Sequence, residues 1–186
     1  MIIGYYIGVK KIKYPLNIIL FGPQGSGKST QGVKISKLLG IPLLVMGDLF
    51  RKEIEKGSKI GKFAKPIISK GNLMPDAITE KLLKSEIKKK RYSKGVILDG
   101  FPRNKSQAVK IKEILKIDYV IVLEILDSIV VKRISNRRGC KNGHVFSLIF
   151  NKPKKQGVCD IDGFKLVQRT DDTKEVIKNR LKIYHS

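Results

Sequence analysis

The sequence predicts an α/β fold built around a parallel sheet. Two observations predict it. The first is a set of short apolar runs rich in β-branched residues, at 17–22 (NIILFG), 95–99 (GVILD) and 119–125 (YVIVLEI). Runs this short and this continuously apolar read as parallel strands covered on both faces. The second is that stretches with helical spacing, at 28–39, 48–55, 76–90 and 104–115, alternate with those runs. Strands and helices taken in turn make βαβ units, and hence a parallel sheet.

The elements follow in order. Residues 1–16 form an apolar and basic extension ending near Pro15, with 2–9 strand-like. The first strand runs straight into a glycine-rich turn and then the first helix. The further strands and helices alternate to about residue 125, and 127–138 has the spacing of one more helix. Residues 139–168 change character: they hold several glycines, both cysteines, Pro153 and short β-like runs at 145–150 and 164–168. That composition reads as a small inserted subdomain. Helical spacing resumes at about Asp171, and the chain ends at Ser186.

Composition excludes several classes. A chain of 186 residues with 41% hydrophobic content suits one soluble domain with a sizeable core. No apolar run is long enough to span a bilayer. Residues 1–9 are apolar, but Lys10, Lys11 and Lys13 follow that stretch instead of preceding it, the wrong order for a secretory signal. The expected location is the cytoplasm, with no membrane partner. The two cysteines, Cys140 and Cys159, do not make a disulfide scaffold there and read as metal ligands or inert thiols. Lys and Arg number 39 against 16 Asp and Glu, a net charge of +23. Such a field favours polyanions. The lysines are spread along the whole chain, however, and most read as a solvated surface.

The chemistry starts at Gly22-Pro23-Gln24-Gly25-Ser26-Gly27-Lys28-Ser29, which fits G-x-x-x-x-G-K-[ST]. It follows a predicted strand and opens a predicted helix, the context the motif requires. Glycines let the backbone turn tightly enough to aim several N–H groups at one phosphate chain. The helix N-terminus adds positive potential. Lys28 is then expected at the β- and γ-phosphates and the Ser29 hydroxyl near Mg²⁺. Alone, the motif says only that the chain binds a nucleoside triphosphate. Asp99, at the carboxyl end of a strand beside this loop, can hold Mg²⁺ through water, and Arg103 just beyond it faces the same crevice.

Asp99-Gly100-Phe101-Pro102-Arg103, with Gln107 after it, resembles the signature of the adenylate kinase family. Met46-Gly47-Asp48 with Arg51 resembles the start of that family's monophosphate-binding helices, and Gly71-Asn72-Leu73-Met74-Pro75-Asp76 resembles its G-x-L-V-P-D turn. The run from Arg133 to Arg138 and the group Gln168-Arg169-Thr170-Asp171-Asp172, Arg180 and Tyr184 resemble the two ends of its lid. The likeness extends from about residue 17 to Tyr184.

The resemblance implies a three-layer P-loop fold with helices on both faces of the sheet, a helical monophosphate-binding insertion at about 46–76, and a small β-rich lid at about 139–168. It implies reversible phosphoryl transfer from Mg-ATP to AMP in a monomer. ATP would be held by Gly25, Ser26, Gly27, Lys28, Ser29, Thr30, Arg133, Arg137, Val145 and Phe146. AMP would lie against Met46, Arg51, Asn72, Leu73, Met74, Gly100, Phe101, Pro102, Arg103, Gln107, Arg169 and Arg180. Lys28, Arg103, Arg137, Arg169 and Arg180 would serve the transfer itself, because phosphoryl transfer needs positioning and charge stabilisation more than covalent help. Guanidinium groups meet phosphate oxygens bidentately and suit that task. Asp171 and Asp172 read equally well as partners of lid arginines or as acids at a helix N-terminus.

In the lid, many relatives carry paired cysteines around zinc. Here Cys140 is followed by His144, and Cys159 by Asp162 in Cys-x₂-Asp spacing. Zinc accepts all three ligand types in a tetrahedron; a lid held by hydrogen bonds alone is the other reading.

The chain also departs from the family. Ser29 replaces a glycine. Met46 stands where the family has a threonine that reads the adenine of AMP, and a thioether cannot donate that hydrogen bond. Another nucleoside monophosphate is therefore an alternative acceptor. The family continues past the end of this sequence with a strand and a helix, so an uncovered strand edge, lower stability and weaker adenine binding are expected, with residues 2–9 as a conceivable cover; a truncated nucleotide-binding relative with little activity is a further alternative. A nucleic-acid-binding module is the competing class. Specific nucleic-acid binding is not expected, because no aromatic stacking platform or recognition helix is present.

Overall fold

The computed structural model describes residues 14–186, so the extension at 1–13, including the strand-like stretch 2–9, lies outside the described residues. In chain order the elements are β1 (Leu16–Phe21), α1 (Lys28–Leu39), β2 (Leu43–Val45), α2 (Met46–Glu55), α3 (Lys59–Ser69), α4 (Asp76–Ile87), a 3₁₀ turn at Lys90–Tyr92, β3 (Gly95–Asp99), α5 (Lys105–Ile114), β4 (Tyr119–Val122), α6 (Asp127–Ser135), β5 (Arg137–Gly139), β6 (Val145–Ser147) and α7 (Lys174–His185). The main sheet is all parallel in the order β2-β3-β1-β4. β5 and β6 form a separate antiparallel pair.

Side chains alternate across each strand, and the central strands are apolar on both sides. Leu16, Ile18 and Leu20 of β1 and Ile97 of β3 pack with Ile35, Leu39 and Ile41 on the α1 face. Ile19 of β1 and Val96 and Leu98 of β3 face the other way, against Met46, Phe50, Ala64, Leu83, Phe101 and Ile111 of the helical layer α2–α5. Helices thus cover both faces of the sheet. Burying one such Leu or Ile contributes about 1.5–3 kcal/mol, so the two-sided central strands are its most stable part. α6 and α7 close on each other through Val130, Ile134, Ile177 and Leu181.

Two elements carry no local signal of their own in the sequence. β2 has three residues, too few to show a period. α3 contains Gly61 and Pro66, which read as breakers. It forms because Ser58 caps it, its Oγ accepting from Gly61 N at 3.0 Å, and because Gly61 lets it approach α2 closely. A β-carbon on Gly61 would lie 1.9 Å from the Glu53 carbonyl oxygen.

Other boundaries move for local reasons. The helix expected over 127–138 ends at Ser135, because Arg137 enters β5. Residues 164–168 make only isolated bridges, Val158 with Lys165 and Gly139 with Val167. The last helix starts at Lys174, not 171, since Asp171 and Asp172 are engaged with arginines and Thr173 caps Val176 N. β4 is the outer strand of the four and leaves Tyr119, Val120, Ile121 and Val122 exposed. Among the described residues no helix is long and apolar enough to cross a membrane.

Candidate active site

The phosphate loop joins β1 to α1. Gly22 has φ 137°, and a β-carbon there would strike the Leu123 carbonyl oxygen at 2.2 Å, so only glycine fits this turn. α1 starts behind Gly27 with no side-chain cap and no acidic residue in its first turn. Its first N–H groups and the positive end of its dipole are therefore left for an anion. Ser26 Oγ is buried without a hydrogen-bond partner among the described residues, a donor placed for a phosphate oxygen. Lys28 Nζ donates to the carbonyls of Gly22 and Pro23, both at 2.7 Å, which folds the side chain back over the loop. Burial lowers its pKa from 10.5 to about 8; Asp99 opposes that shift, and Arg103 and Arg137 add to it. Thr30 is exposed on the next position of α1.

Ser29 Oγ donates to Asp99 Oδ2 at 2.5 Å, tying the first turn of α1 to the end of β3. Hydroxyl and carboxylate oxygens together make a donor set suited to a hard divalent cation.

Five arginines from distant parts of the chain converge on this loop. Arg103, past β3, donates from Nε to Gly100 O at 2.9 Å. Its side chain is exposed at the cleft, where crowding by surrounding protein atoms, then the nearby Arg180, lowers its pKa. Arg169 has its pKa lowered to about 10, by burial first and then by Arg51 and Arg137 beside it. Arg137 is paired with Asp172, and Arg180 with Asp171 at 2.5 Å. Burial disfavours the charged Asp171, but Arg180 outweighs it and holds the carboxyl below its ordinary pKa. Arg180 Nη1 also donates to Gln24 Oε1 at 2.9 Å, which pins α7 to the phosphate loop. Arg51 pairs with Asp48 one turn earlier on α2. A sixth arginine, Arg133, donates to Gly25 O at 3.1 Å and lies 5.6 Å from the Phe150 ring centre. Cations packed this closely lower one another's pKa, so the cleft is built for a dense negative charge.

The remaining expected contacts divide in two. Asn72 is exposed and Leu73 half-buried beside α7, where Asn179 Nδ2 donates to Asn72 Oδ1 at 2.9 Å. Gly100, Pro102 and Gln107 stand at the end of β3 and the start of α5. The side chains of Met46, Met74 and Phe101, by contrast, belong to the main core, and that of Phe146 to the small core of the cysteine-bearing segment. Val145 is exposed on β6.

Residues 139–168 bring Cys140, His144, Cys159 and Asp162 together, with their ligand atoms within 4.8 Å of one another. Both sulfurs lie 3.5 Å from His144 Nδ1, and Asp162 Oδ2 lies 2.9 Å from that nitrogen. Metal–ligand bonds of about 2.0–2.3 Å set tetrahedral ligand atoms roughly 3.3–3.8 Å apart, which this cluster approaches. Phe146 and Leu166 pack against the two cysteines.

Two polar groups make contacts that the sequence did not signal. Gln24 occupies a variable position of the phosphate-loop motif, and nothing there marks its bond to Arg180. Asp76 reads as an ordinary acid in the first turn of a helix, yet it accepts from Gln107 and Asn104 of α5.

A family model described as adenylate kinase matches residues 20–186. Among curated proteins, the adenylate kinase of Streptomyces avermitilis is 43% identical over 178 residues, covering 92% of this chain and 81% of that protein. The adenylate kinase of Thermosipho melanesiensis is 43% identical over 175 residues, covering 91% of this chain and 82% of its own. That of Methanosarcina acetivorans is 43% identical over 174 residues, covering 91% and 81%.

Proposed function

The chain belongs to the adenylate kinase family, and from that premise we propose that it catalyses reversible phosphoryl transfer from Mg-ATP to AMP, giving two ADP. The observation that carries this reading is the convergence of Lys28, Arg103, Arg137, Arg169 and Arg180 around one cleft beside Asp99. ATP binds through Gly25, Ser26, Gly27, Lys28, Ser29 and Thr30, with Arg133 and Arg137 closing on it. AMP binds through Arg51, Arg103, Arg169 and Arg180 at its phosphate and through Gln107 at its base, with 72–74 and 100–102 as backbone walls. Its attacking phosphate oxygen is already an anion, so no general base is needed. What the chain supplies is alignment of two nucleotides and positive charge where the transferring group accumulates negative charge. Ser29 and Asp99 are the residues that would hold Mg²⁺, whose role when bound is to neutralise the phosphate oxygens.

Residues 46–76 are assigned as the monophosphate-binding region and 139–168 as a lid. Closing both excludes water that would otherwise hydrolyse ATP. Cys140, His144, Cys159 and Asp162 would hold one structural zinc ion, which keeps the lid folded where its own core is four side chains. The reading includes action as a monomer in the cytoplasm.

The test is ADP formation from Mg-ATP with AMP, UMP, CMP or GMP as acceptor. AMP is expected to exceed the others in kcat/KM by at least about tenfold. Comparable rates with a second nucleotide would move the assignment to a kinase of different acceptor.

A further inference from the structure

Gln107 occupies a constrained place at the start of α5. Its backbone N–H donates to Asn104 Oδ1 at 2.7 Å, so Asn104 caps the helix. Its side-chain Oε1 accepts from the Arg103 N–H at 2.8 Å, and its Nε2 donates to Asp76 Oδ1 at 2.8 Å. The residue is 2% exposed. Asp76 is the first residue of α4, and the same carboxylate also accepts from Asn104 Nδ2 at 3.1 Å. One acid thus holds both amides of the α5 entry from another helix.

The two partners of Gln107 leave its amide a single orientation. A backbone N–H only donates and an ionised carboxylate only accepts. Turned over, the amide would set NH₂ against the Arg103 N–H and oxygen against the Asp76 carboxylate, two repulsive contacts in a buried place. Burial works against ionisation of Asp76, but hydrogen bonds from Gln107, Asn104 and Ser106 prevail and hold its carboxyl below the ordinary pKa.

We propose that Asp76 is a specificity-determining positioning residue: by fixing which end of the Gln107 amide donates, it sets the hydrogen-bond pattern offered to the acceptor base. This rests on the reading that Gln107 meets that base. With one N–H and one lone pair committed, the amide keeps one N–H and one lone pair. Those match adenine, which offers an acceptor at N1 and a donor at N6. A 6-oxopurine reverses both, with N1–H as donor and O6 as acceptor, so the locked amide meets it donor to donor and acceptor to acceptor. Without Asp76 the amide is held by the Arg103 N–H alone, so turning it over to meet a 6-oxopurine costs one contact instead of two. Sites that read a base by hydrogen bonds discriminate strongly because a mismatch strands buried polar groups.

The experiment compares kcat/KM for AMP and for inosine monophosphate, which differ only at positions 1 and 6 of the purine. It uses the full chain and the variants Asp76→Ala, Asp76→Asn and Gln107→Leu, with thermal unfolding of each. Asp76→Ala is expected to lower the AMP-over-IMP ratio by about tenfold or more, through a higher KM for AMP and a lower one for IMP. Asp76→Asn keeps an oxygen acceptor at the same place and is expected to restore most of the ratio. A purely structural tie between α4 and α5 would depress both substrates alike and leave the ratio unchanged in Asp76→Ala, which would overturn the proposal. Failure of Asp76→Asn to restore the ratio would also overturn it. If Gln107→Leu itself leaves the ratio intact, the base-reading premise is what fails.

Discussion

Arg137 and Asp172 meet in a two-point ion pair across 35 residues of chain, Nε to Oδ2 at 2.8 Å and Nη2 to Oδ1 at 2.5 Å. The Asp172 side chain is fully buried and that of Arg137 is 20% exposed. The pair fastens the first residue of β5 to the loop before α7, so it joins the two ends of the proposed lid. Removing the acid leaves a guanidinium largely cut off from water. Asp172→Ala is therefore expected to cost about 3 kcal/mol of unfolding free energy, read from the urea midpoint. A loss below about 0.5 kcal/mol would mean that Arg137 finds solvent at once and the pair is peripheral.

Lys28 gives a pH dependence whose sign is fixed by its depressed pKa, about 8 against an ordinary 10.5. Burial makes the cation unfavourable in the folded chain. That penalty is complete below about pH 8 and is released as pH rises from there to the ordinary value. If Lys28 meets the phosphates as proposed, binding needs the cation, and ATP affinity is expected to fall about tenfold per pH unit once pH exceeds about 8. Calorimetric titrations from pH 7 to 9.5 read this slope. A Lys28→Met chain is expected to lack it, and an equal slope in that variant would assign the titration to another group.

The tight approach of α3 to α2 rests on one missing side chain. Gly61→Ala would force a methyl against the Glu53 carbonyl, so the two helices must part. An overpacking cost of about 1–3 kcal/mol is expected, with KM for AMP rising as the region housing Arg51 shifts. Unchanged stability and KM would show that the contact gives way freely.

The cysteine-bearing segment predicts its own metal content. Protein purified without added zinc is expected to carry about one equivalent, and chelation to lower the thermal midpoint. Cys159→Ser is expected to abolish both effects. Content under about 0.2 equivalents would sink the site as a structural one and leave the hydrogen bonds of His144 and Asp162 to hold the segment.

How far the sequence revealed this molecule depends on which residues are asked. The turn that carries Lys28 and Ser29 was legible because a strand, a tight turn and a helix in succession leave a recognisable spacing, and the structure joins Ser29 to Asp99 at the end of β3. The strands β1 and β3 were legible because both their faces are buried, so all but Asn17, Gly95 and Asp99 are large apolar residues. α3 was not, because Gly61 and Pro66 carry local signals for a break while its stability comes from α2, elsewhere in the chain. The contacts of Gln24 and Asp76 were silent for the same reason: their partners, Arg180 and Gln107, lie 156 and 31 residues away. Met46, expected beside the acceptor base, is 2% exposed and packs with Phe50 and Phe101 in the main core. Patterns of polarity report burial, not which partner a buried polar group will meet.

The most direct measurement is the yield of ADP from equimolar ATP and AMP with Mg²⁺, for the native chain and for Lys28→Ala. Two ADP per ATP consumed, with no consumption when AMP is omitted and at least a hundredfold loss in the variant (roughly the effect of removing one transition-state contact), is the predicted result. ATP consumption that ignores AMP, or ADP formation that survives loss of Lys28, would contradict the assignment of this cleft to phosphoryl transfer between two nucleotides.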